Sequence, residues 1–202
     1  MIAKGVVGAD LELERCLARA SADHRRLCPR QVLGARIGQH AGVLFNIDLP
    51  QSAKRLLAIV ETDGCAVDGI ASATGCTVGR RTMRVLDHGK VAATFVDTRT
   101  GAAVRVWPHP EARTLAAGYA PGARDRWHAQ RDGYRRMPVS ELLLARPVRL
   151  TMPLPALLGQ AGVRVDCAGC GEEIMNQREV QRADQVLCRA CAGEAYATPL
   201  IE

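Results

Sequence analysis

Two cysteine pairs near the C-terminus constrain the fold of this chain more than any other feature. The pairs read CAGC at 167–170 and CRAC at 188–191, and 17 residues separate them. Each CxxC turn directs two thiolates toward one point, so two such turns complete the tetrahedral set of sulfurs that zinc takes in structural sites. The alternatives are two redox dithiols or four unbound core cysteines. The spacing favours one zinc ion bound by Cys167, Cys170, Cys188 and Cys191.

The segment around these pairs carries few large apolar side chains. A stretch of about 35 residues of this kind cannot bury enough surface to fold unaided, and metal binding supplies the missing stability. We therefore expect a zinc-binding module over residues 163–196. Residues 1–155, in a chain with 48% hydrophobic content, are sufficient for one domain with a real core.

Charge argues against nucleic acid as a partner of the zinc module. The chain has a formal net charge of +6, yet residues 166–202 hold seven acidic and three basic residues, a net −4 that leaves +10 on residues 1–165. Contact with phosphates needs an excess of Lys and Arg at the contact surface. A zinc-finger regulator of transcription is therefore disfavoured, and we expect a module that caps or docks.

The N-terminus and the cysteines together indicate the compartment. Charged residues interrupt the first 20 positions before an apolar segment forms, and no run reaches the ~18 apolar residues that a membrane span requires. We expect a cytoplasmic protein without membrane segments. Its eight cysteines would then stay reduced and act as ligands, nucleophiles or buried side chains.

Hydrophobic periodicity predicts helices first, then strands, then helices again. The expected order begins with helices at 8–24 (with Asp10 as N-cap) and 30–47, a strand at 54–62 and a helix ending at Gly75. An antiparallel meander at 82–108, a helical region at 109–144 and a last strand or extended exit at 147–155 follow. The strand at 54–62 leads directly into the helix that follows it.

Two further cysteines stand where helices are predicted to begin. Pro29 suits the first position of a helix, which makes Cys28 the N-cap and leaves His24 in the approach loop. In ETDGC, Cys65 likewise precedes a helix, with Asp68 where a first-turn carboxylate is favourable. A helix N-terminus lowers the pKa of a thiol and stabilises the thiolate, which binds metal or attacks an electrophile. A buried structural cysteine remains the alternative for either position.

Four motifs follow one another along the chain: HRRLCPRQVLG, VETDGCAVDGIASATGCTVG, DHGKVAATFVDTRTGAAVRV, and a C-terminal CAGCGEEI with VLCRACA. In order and spacing they resemble the FmdE family, which is named for a component of formylmethanofuran dehydrogenase, roughly over residues 20–195. The resemblance implies an α+β fold, with helices packed on a mixed, largely antiparallel sheet similar in topology to the catalytic domain of glyceraldehyde-3-phosphate dehydrogenase, plus a small four-cysteine zinc module.

The resemblance also implies a second metal site. The family motif His-Gly-His-x-Cys-Pro-Gly is matched at His24 and at Cys28 with the proline that follows it. Glu-Thr-Asp-x-Cys is intact and ends at Cys65, and Thr-Gly-Cys-Thr is intact around Cys76. By this likeness His24, Cys28 and Cys65 would bind a transition metal, zinc among the candidates, with Cys76 as an additional member.

This chain departs from the family motif at three positions. Arg26 stands where the family has its second His, and Arg25 and Arg30 stand where it has Gly. The loss of one imidazole implies either a weaker metal site or a site at which an arginine recruits an anionic ligand.

The resemblance implies a metal-binding accessory protein linked to one-carbon or molybdoenzyme metabolism. The chain has neither a ferredoxin-type cysteine run nor a Gly-rich dinucleotide loop, so it cannot be the redox catalyst alone. We expect a molybdoenzyme or one-carbon enzyme as partner. We also expect a homodimer, because family members tend to associate and the meander offers an exposed edge. The alternative is a stand-alone enzyme that uses Cys28, Cys65 or a metal-activated water on a small-molecule substrate.

Overall fold

The computed structural model of the protein describes residues 4–22, 24 and 26–200. Its contacts divide the chain into two compact units, Met1–Arg149 and Leu150–Glu202. The division falls a few residues before the end of the predicted first domain at residue 155. Within the described ranges, no helix has both the length and the apolar character needed to cross a membrane.

The helices lie mostly in the first unit. They are α1 (Lys4–Ala20), α2 (Pro29–Phe45), α3 (Ala66–Thr74), α4 (Ala112–Leu115), α5 (Arg126–Arg136), α6 (Val139–Leu142) and α7 (Leu154–Leu158), with a short 3₁₀ helix at Ala116–Tyr119 and a helical turn at Ala190–Glu194. The predicted N-cap at Asp10 is wrong, because α1 already runs through this residue. The region predicted as helical at 109–144 does contain four helical segments, but its last two residues already belong to a strand, Leu143–Val148.

The strands form one large sheet and two hairpins. They are β1 (Leu56–Val60), β2 (Met83–Val85), β3 (Ala93–Asp97), β4 (Ala103–Pro108), β5 (Leu143–Val148), β6 (Arg164–Asp166), β7 (Glu173–Met175), β8 (Val180–Arg182) and β9 (Gln185–Leu187). The first unit holds a five-stranded sheet in the order β2-β1-β3-β4-β5. All neighbours in it are antiparallel except β1 and β2, which confirms an α+β fold on a mixed, largely antiparallel sheet.

The predicted meander is right for β3 and β4 but wrong for β2. Strand β2 pairs in parallel with β1, with Met83 opposite Ala58. The physical reason is the helix α3 between them, because parallel strands need a crossover connection and an antiparallel hairpin does not. Strand β1 therefore lies inside the sheet, between β2 and β3, and it is buried along its whole length.

The loop after β1 connects the sheet to α3. Its first residue, Glu61, accepts two hydrogen bonds from the Arg105 guanidinium on β4, at 2.6 and 2.7 Å. Glu61 is buried, so this paired carboxylate anchors the loop to the sheet. The loop ends at Cys65, directly before α3 begins.

The second unit has very little core. It consists of α7, the β6–β7 hairpin and the β8–β9 hairpin. In the described part of this unit, Cys167 and Ile174 are the only residues classed as buried. A segment with so little buried apolar surface depends on another source of stability.

Candidate metal centres

Four cysteine sulfurs converge in the second unit. The Sγ atoms of Cys167, Cys170, Cys188 and Cys191 all lie within 4.8 Å of one another, and those of Cys170 and Cys188 are 4.0 Å apart. Zn–S bonds of ~2.3 Å in a tetrahedron place the sulfurs about 3.8 Å apart. The donor type, the number of donors and their separations therefore all fit zinc, as the sequence spacing predicts.

Backbone amides prepare this cluster for a cation. The Cys188 and Gly169 amides donate to the Cys167 sulfur at 3.2 and 3.4 Å. Backbone hydrogen bonds of this kind, from Cys188 first, lower the pKa of the Cys167 thiol to about 6. The neighbouring thiols of Cys188, Cys167 and Cys170 raise the pKa of Cys191 to about 12. The Cys167 sulfur is thus ready to ionise, whereas the Cys170 and Cys191 thiols, whose pKa values are raised, would need a nearby cation to do so.

In the first unit, helices α2 and α3 touch backbone to backbone. A Cβ atom built on Gly34 would lie 2.0 Å from the Ala66 carbonyl oxygen, and one built on Gly69 would lie 2.2 Å from the Gln31 carbonyl oxygen. Residues with a side chain cannot occupy these positions without moving the helices apart. The contact therefore fixes the first turns of α2 and α3 side by side.

The N-caps of these two helices are Cys28 and Cys65, as predicted from the sequence. The Gln31 amide donates to the Cys28 sulfur at 3.4 Å, and the Cys28 amide donates to the Gln31 side-chain oxygen at 2.8 Å. This reciprocal pair is a capping box with sulfur in place of a hydroxyl. The Cys65 side chain makes no capping hydrogen bond within its helix, so its thiol is not committed to that role.

The Cys28 thiol does not have the lowered pKa that its position predicts. Burial raises its pKa and outweighs the backbone hydrogen bond from Gln31 that lowers it. The adjacent Cys65 thiol raises it further, by hydrogen bonding and by charge repulsion. Two neighbouring thiols do not both ionise easily, and a bound divalent cation would remove that penalty.

His24 is held by a carboxylate on α3. Its Nε2 atom lies 2.9 Å from an Asp68 carboxylate oxygen. Asp68 follows Cys65 by three residues, which places both on the same face of the helix. Among the described residues, the four tail cysteines form a cluster of three or more potential metal ligands. The side chains of His24, Cys28 and Cys65 do not form such a cluster. The sequence does not predict the contact between Asp68 and His24, although it does place Asp68 three residues after Cys65, on the same face of α3.

Two arginines of the altered family motif, Arg26 and Arg30, lie at the edge of this region. The Arg26 guanidinium stacks 4.8 Å from the centre of the Trp127 ring on α5, which tethers the approach loop to that helix. The Arg30 Nη1 atom is 3.9 Å from the place where a Cβ on Gly64 would lie, beside Cys65. Arg30 is exposed, and no carboxylate in the described chain forms an ion pair with it. Arg25 lies outside the described residues.

Cys76 has a place in the core. Its side chain is completely buried, and its thiol donates to the Leu56 carbonyl oxygen at 3.2 Å. Burial raises the pKa of this thiol. These contacts give Cys76 a structural role in attaching the end of α3 to β1.

A cavity of about 1200 Å³ opens at the other end of α2. Its lining includes Arg36, His40, Val43 and Met137. Arg36 donates hydrogen bonds to the backbone carbonyl oxygens of Tyr134, Arg135 and Met137 at the end of α5. Burial lowers the pKa of His40. Helix α2 is about 25 Å long, so the cysteines at its first turn are remote from this cavity.

The sequence matches the models of two known protein families. The family described as "FmdE, Molybdenum formylmethanofuran dehydrogenase operon" matches residues 24–143, more than half of the sequence. The chain belongs to the FmdE family. The FmdE match begins at His24 and contains Cys28 and Cys65. A second family, described as "Prokaryotic dksA/traR C4-type zinc finger", matches residues 159–197, which contain the four tail cysteines.

Two known proteins are similar to this FmdE-family chain. The crystal structure of an FmdE-like protein of the tungsten formylmethanofuran dehydrogenase type, from Syntrophus aciditrophicus, matches with a TM-score of 0.59 and 23% identity, over 92% of this chain and 95% of that chain. This likeness shows a shared fold. A probable S-adenosyl-L-methionine-binding protein from Archaeoglobus fulgidus is 36% identical over 103 residues, which are 50% of this chain. The match spans 28% of that relative's length.

Proposed function

We propose that this chain is a metal-binding accessory protein of one-carbon or molybdoenzyme metabolism. In this proposal the tail holds a structural zinc, and His24, Cys28 and Cys65 hold a second, exchangeable transition metal, with zinc among the candidates. The observation that carries the proposal is the pair of neighbouring thiols at the touching N-termini of α2 and α3. Family membership supports the link to dehydrogenase metabolism.

The donor set gives the second site its chemistry. Two thiolates and one imidazole suit zinc and similar transition metals, and three protein ligands leave a coordination position for water or substrate. His24 keeps Nδ1 for a metal while Nε2 holds Asp68, because a carboxylate behind a ligating histidine fixes the ring and raises its basicity. The imidazole must approach the two sulfurs when the metal binds, which makes this site weaker than the tail site.

A metal count with matched variants tests the proposal. We expect the purified chain to hold one zinc that resists a mild chelator and a second metal that the chelator removes. Cys28→Ser and Cys65→Ser should lose the second metal alone, and Cys170→Ser should release the first. Cys16→Ser is the control, since Cys16 is buried and contacts Arg19. A second metal that survives both Cys28→Ser and Cys65→Ser would contradict the assignment.

A stand-alone enzyme is the second candidate. It is favoured by the partial exposure of Cys28 and Cys65, because a nucleophilic cysteine has to be reached by its substrate. Turnover of a small molecule by the chain alone, abolished in Cys65→Ser, would support this function over an accessory role. Turnover that also stops after chelation would assign it to the metal rather than to a nucleophilic cysteine.

We propose a second copy of the chain and a molybdoenzyme or one-carbon enzyme as partners. The proposed compartment is the reducing cytoplasm, which suits a chain whose eight cysteines form no disulfide in this structure. The edges of the large sheet, β2 and β5, are available for pairing between copies. Co-elution of the purified chain with a purified molybdopterin dehydrogenase supports the partner. Separate elution at micromolar concentrations would count against it.

A further inference from the structure

The thiols of Cys28 and Cys65 form a pair with features that other cysteines of the chain lack. Both are partly exposed, both begin a helix, and they are neighbours across the contact between α2 and α3. Because the contact is made by backbone atoms at Gly34 and Gly69, the backbones that carry the two thiols cannot move apart without separating the helices.

We propose that Cys28 and Cys65 form a reversible disulfide when the second metal is absent, and that this bond closes the metal site. The proposal rests on the proposed function, because the same sulfurs are the proposed ligands. It adds a modification site and a form of regulation, since sulfurs joined to each other no longer bind a metal as thiolates.

The reaction needs an external disulfide as oxidant, and oxidised glutathione is the probe. One thiolate attacks a glutathione sulfur, forms a mixed disulfide and releases the first reduced glutathione. The second thiolate attacks the protein sulfur of that mixed disulfide, forms the Cys28–Cys65 bond and releases the second glutathione. The two thiol protons leave with the two glutathione thiols. Two electrons pass from the cysteine pair to the oxidant, so atoms and charge balance.

The surroundings favour this pair over the other thiols. Cys16 and Cys76 are buried, and the four tail cysteines are occupied when zinc is bound. The exposed guanidinium of Arg30 lies beside the Cys65 loop, where it attracts an anionic oxidant such as oxidised glutathione.

Peptide mapping under non-reducing conditions tests the proposal. The full chain, with its tail zinc in place and the second metal removed, is treated with oxidised glutathione. We expect a mass loss of about 2 Da, a cross-linked peptide joining Cys28 to Cys65, and full reversal by dithiothreitol. Cys28→Ser should instead accumulate a mixed disulfide on Cys65, and Cys16→Ser should behave like the unchanged chain. Persistent mixed disulfides on both cysteines, or cross-links to tail cysteines alone, would overturn the proposal.

A second arm separates this proposal from the metal assignment. Reloading the chain with zinc before oxidation should slow formation of the cross-link if the two cysteines are metal ligands. An equal rate with and without added zinc refutes the second metal site, while the cross-link in the metal-free arm still establishes the disulfide. Absence of the cross-link together with protection of both thiols by zinc establishes the metal site and refutes the disulfide.

Discussion

Replacing Gly69 with alanine should loosen the contact that holds α2 and α3 together. The new Cβ would lie 2.2 Å from the Gln31 carbonyl oxygen and 2.6 Å from the Ala35 amide nitrogen. Both atoms belong to the backbone of α2 and cannot rotate away, so the helices must separate by roughly 1 Å to reach ordinary contact distances. Such overpacking costs about 1–3 kcal/mol or more, while alanine recovers about 1 kcal/mol of helix propensity.

A contact as short as 2.2 Å takes the upper end of that range, about 3 kcal/mol, so the expected net loss of stability is about 2 kcal/mol. For a unit of about 150 residues this lowers the melting midpoint by roughly 4–8 °C. Urea unfolding followed by circular dichroism measures the free energy of unfolding directly. The matched control is Gly118→Ala, because nothing lies within 4 Å of a Cβ at that position. A Gly69→Ala chain as stable as the Gly118→Ala chain, with an unchanged Cys28–Cys65 cross-linking rate, would refute the close-contact argument.

Three further predictions concern the tail, the buried ion pair and the assembly. Cys170→Ser should release the tail zinc and expose residues 163–196 to protease, whereas a tail that stays protease-resistant in strong chelator would contradict a metal-dependent fold. Arg105→Met should destabilise the chain by about 1–3 kcal/mol at pH 7, because it leaves the Glu61 carboxylate without its hydrogen-bond donor. The Arg105 hydrogen bonds lower the pKa of Glu61, so this contribution is present above the ordinary Glu pKa and is lost as pH falls through the lowered value; a difference that grows on acidification would contradict the sign. Sedimentation should show a dimer, and a 21.7 kDa species at high concentration would exclude it.

Local signals in the sequence predicted the parts of the site that depend on neighbouring residues. Pro29 placed Cys28 at an N-cap, and the ETDGC loop did the same for Cys65, because capping is decided within one turn of helix. The tail cluster was equally predictable, since a CxxC turn fixes its own geometry.

Contacts between distant segments were not predictable in this way. The parallel pairing of β2 with β1 depends on where the chain returns after α3, and the local turn signals suggested an antiparallel partner. The pKa of the Cys28 thiol depends on burial and on Cys65, which lies 37 positions away in the sequence, so the helix N-terminus alone gave the wrong direction. The stacking of Arg26 on Trp127 likewise joins segments with no sequence relationship.

The backbone contact between α2 and α3 makes this pair of helices a ready scaffold for protein engineering. Because main-chain atoms set the spacing at Gly34 and Gly69, replacing the residues at positions 28 and 65 does not remove the contact between the two helices. Histidine or aspartate at either position would present a different donor from the same anchor points. A small set of such variants would give a series of two-point chelators in which the side-chain chemistry changes and the anchor geometry does not.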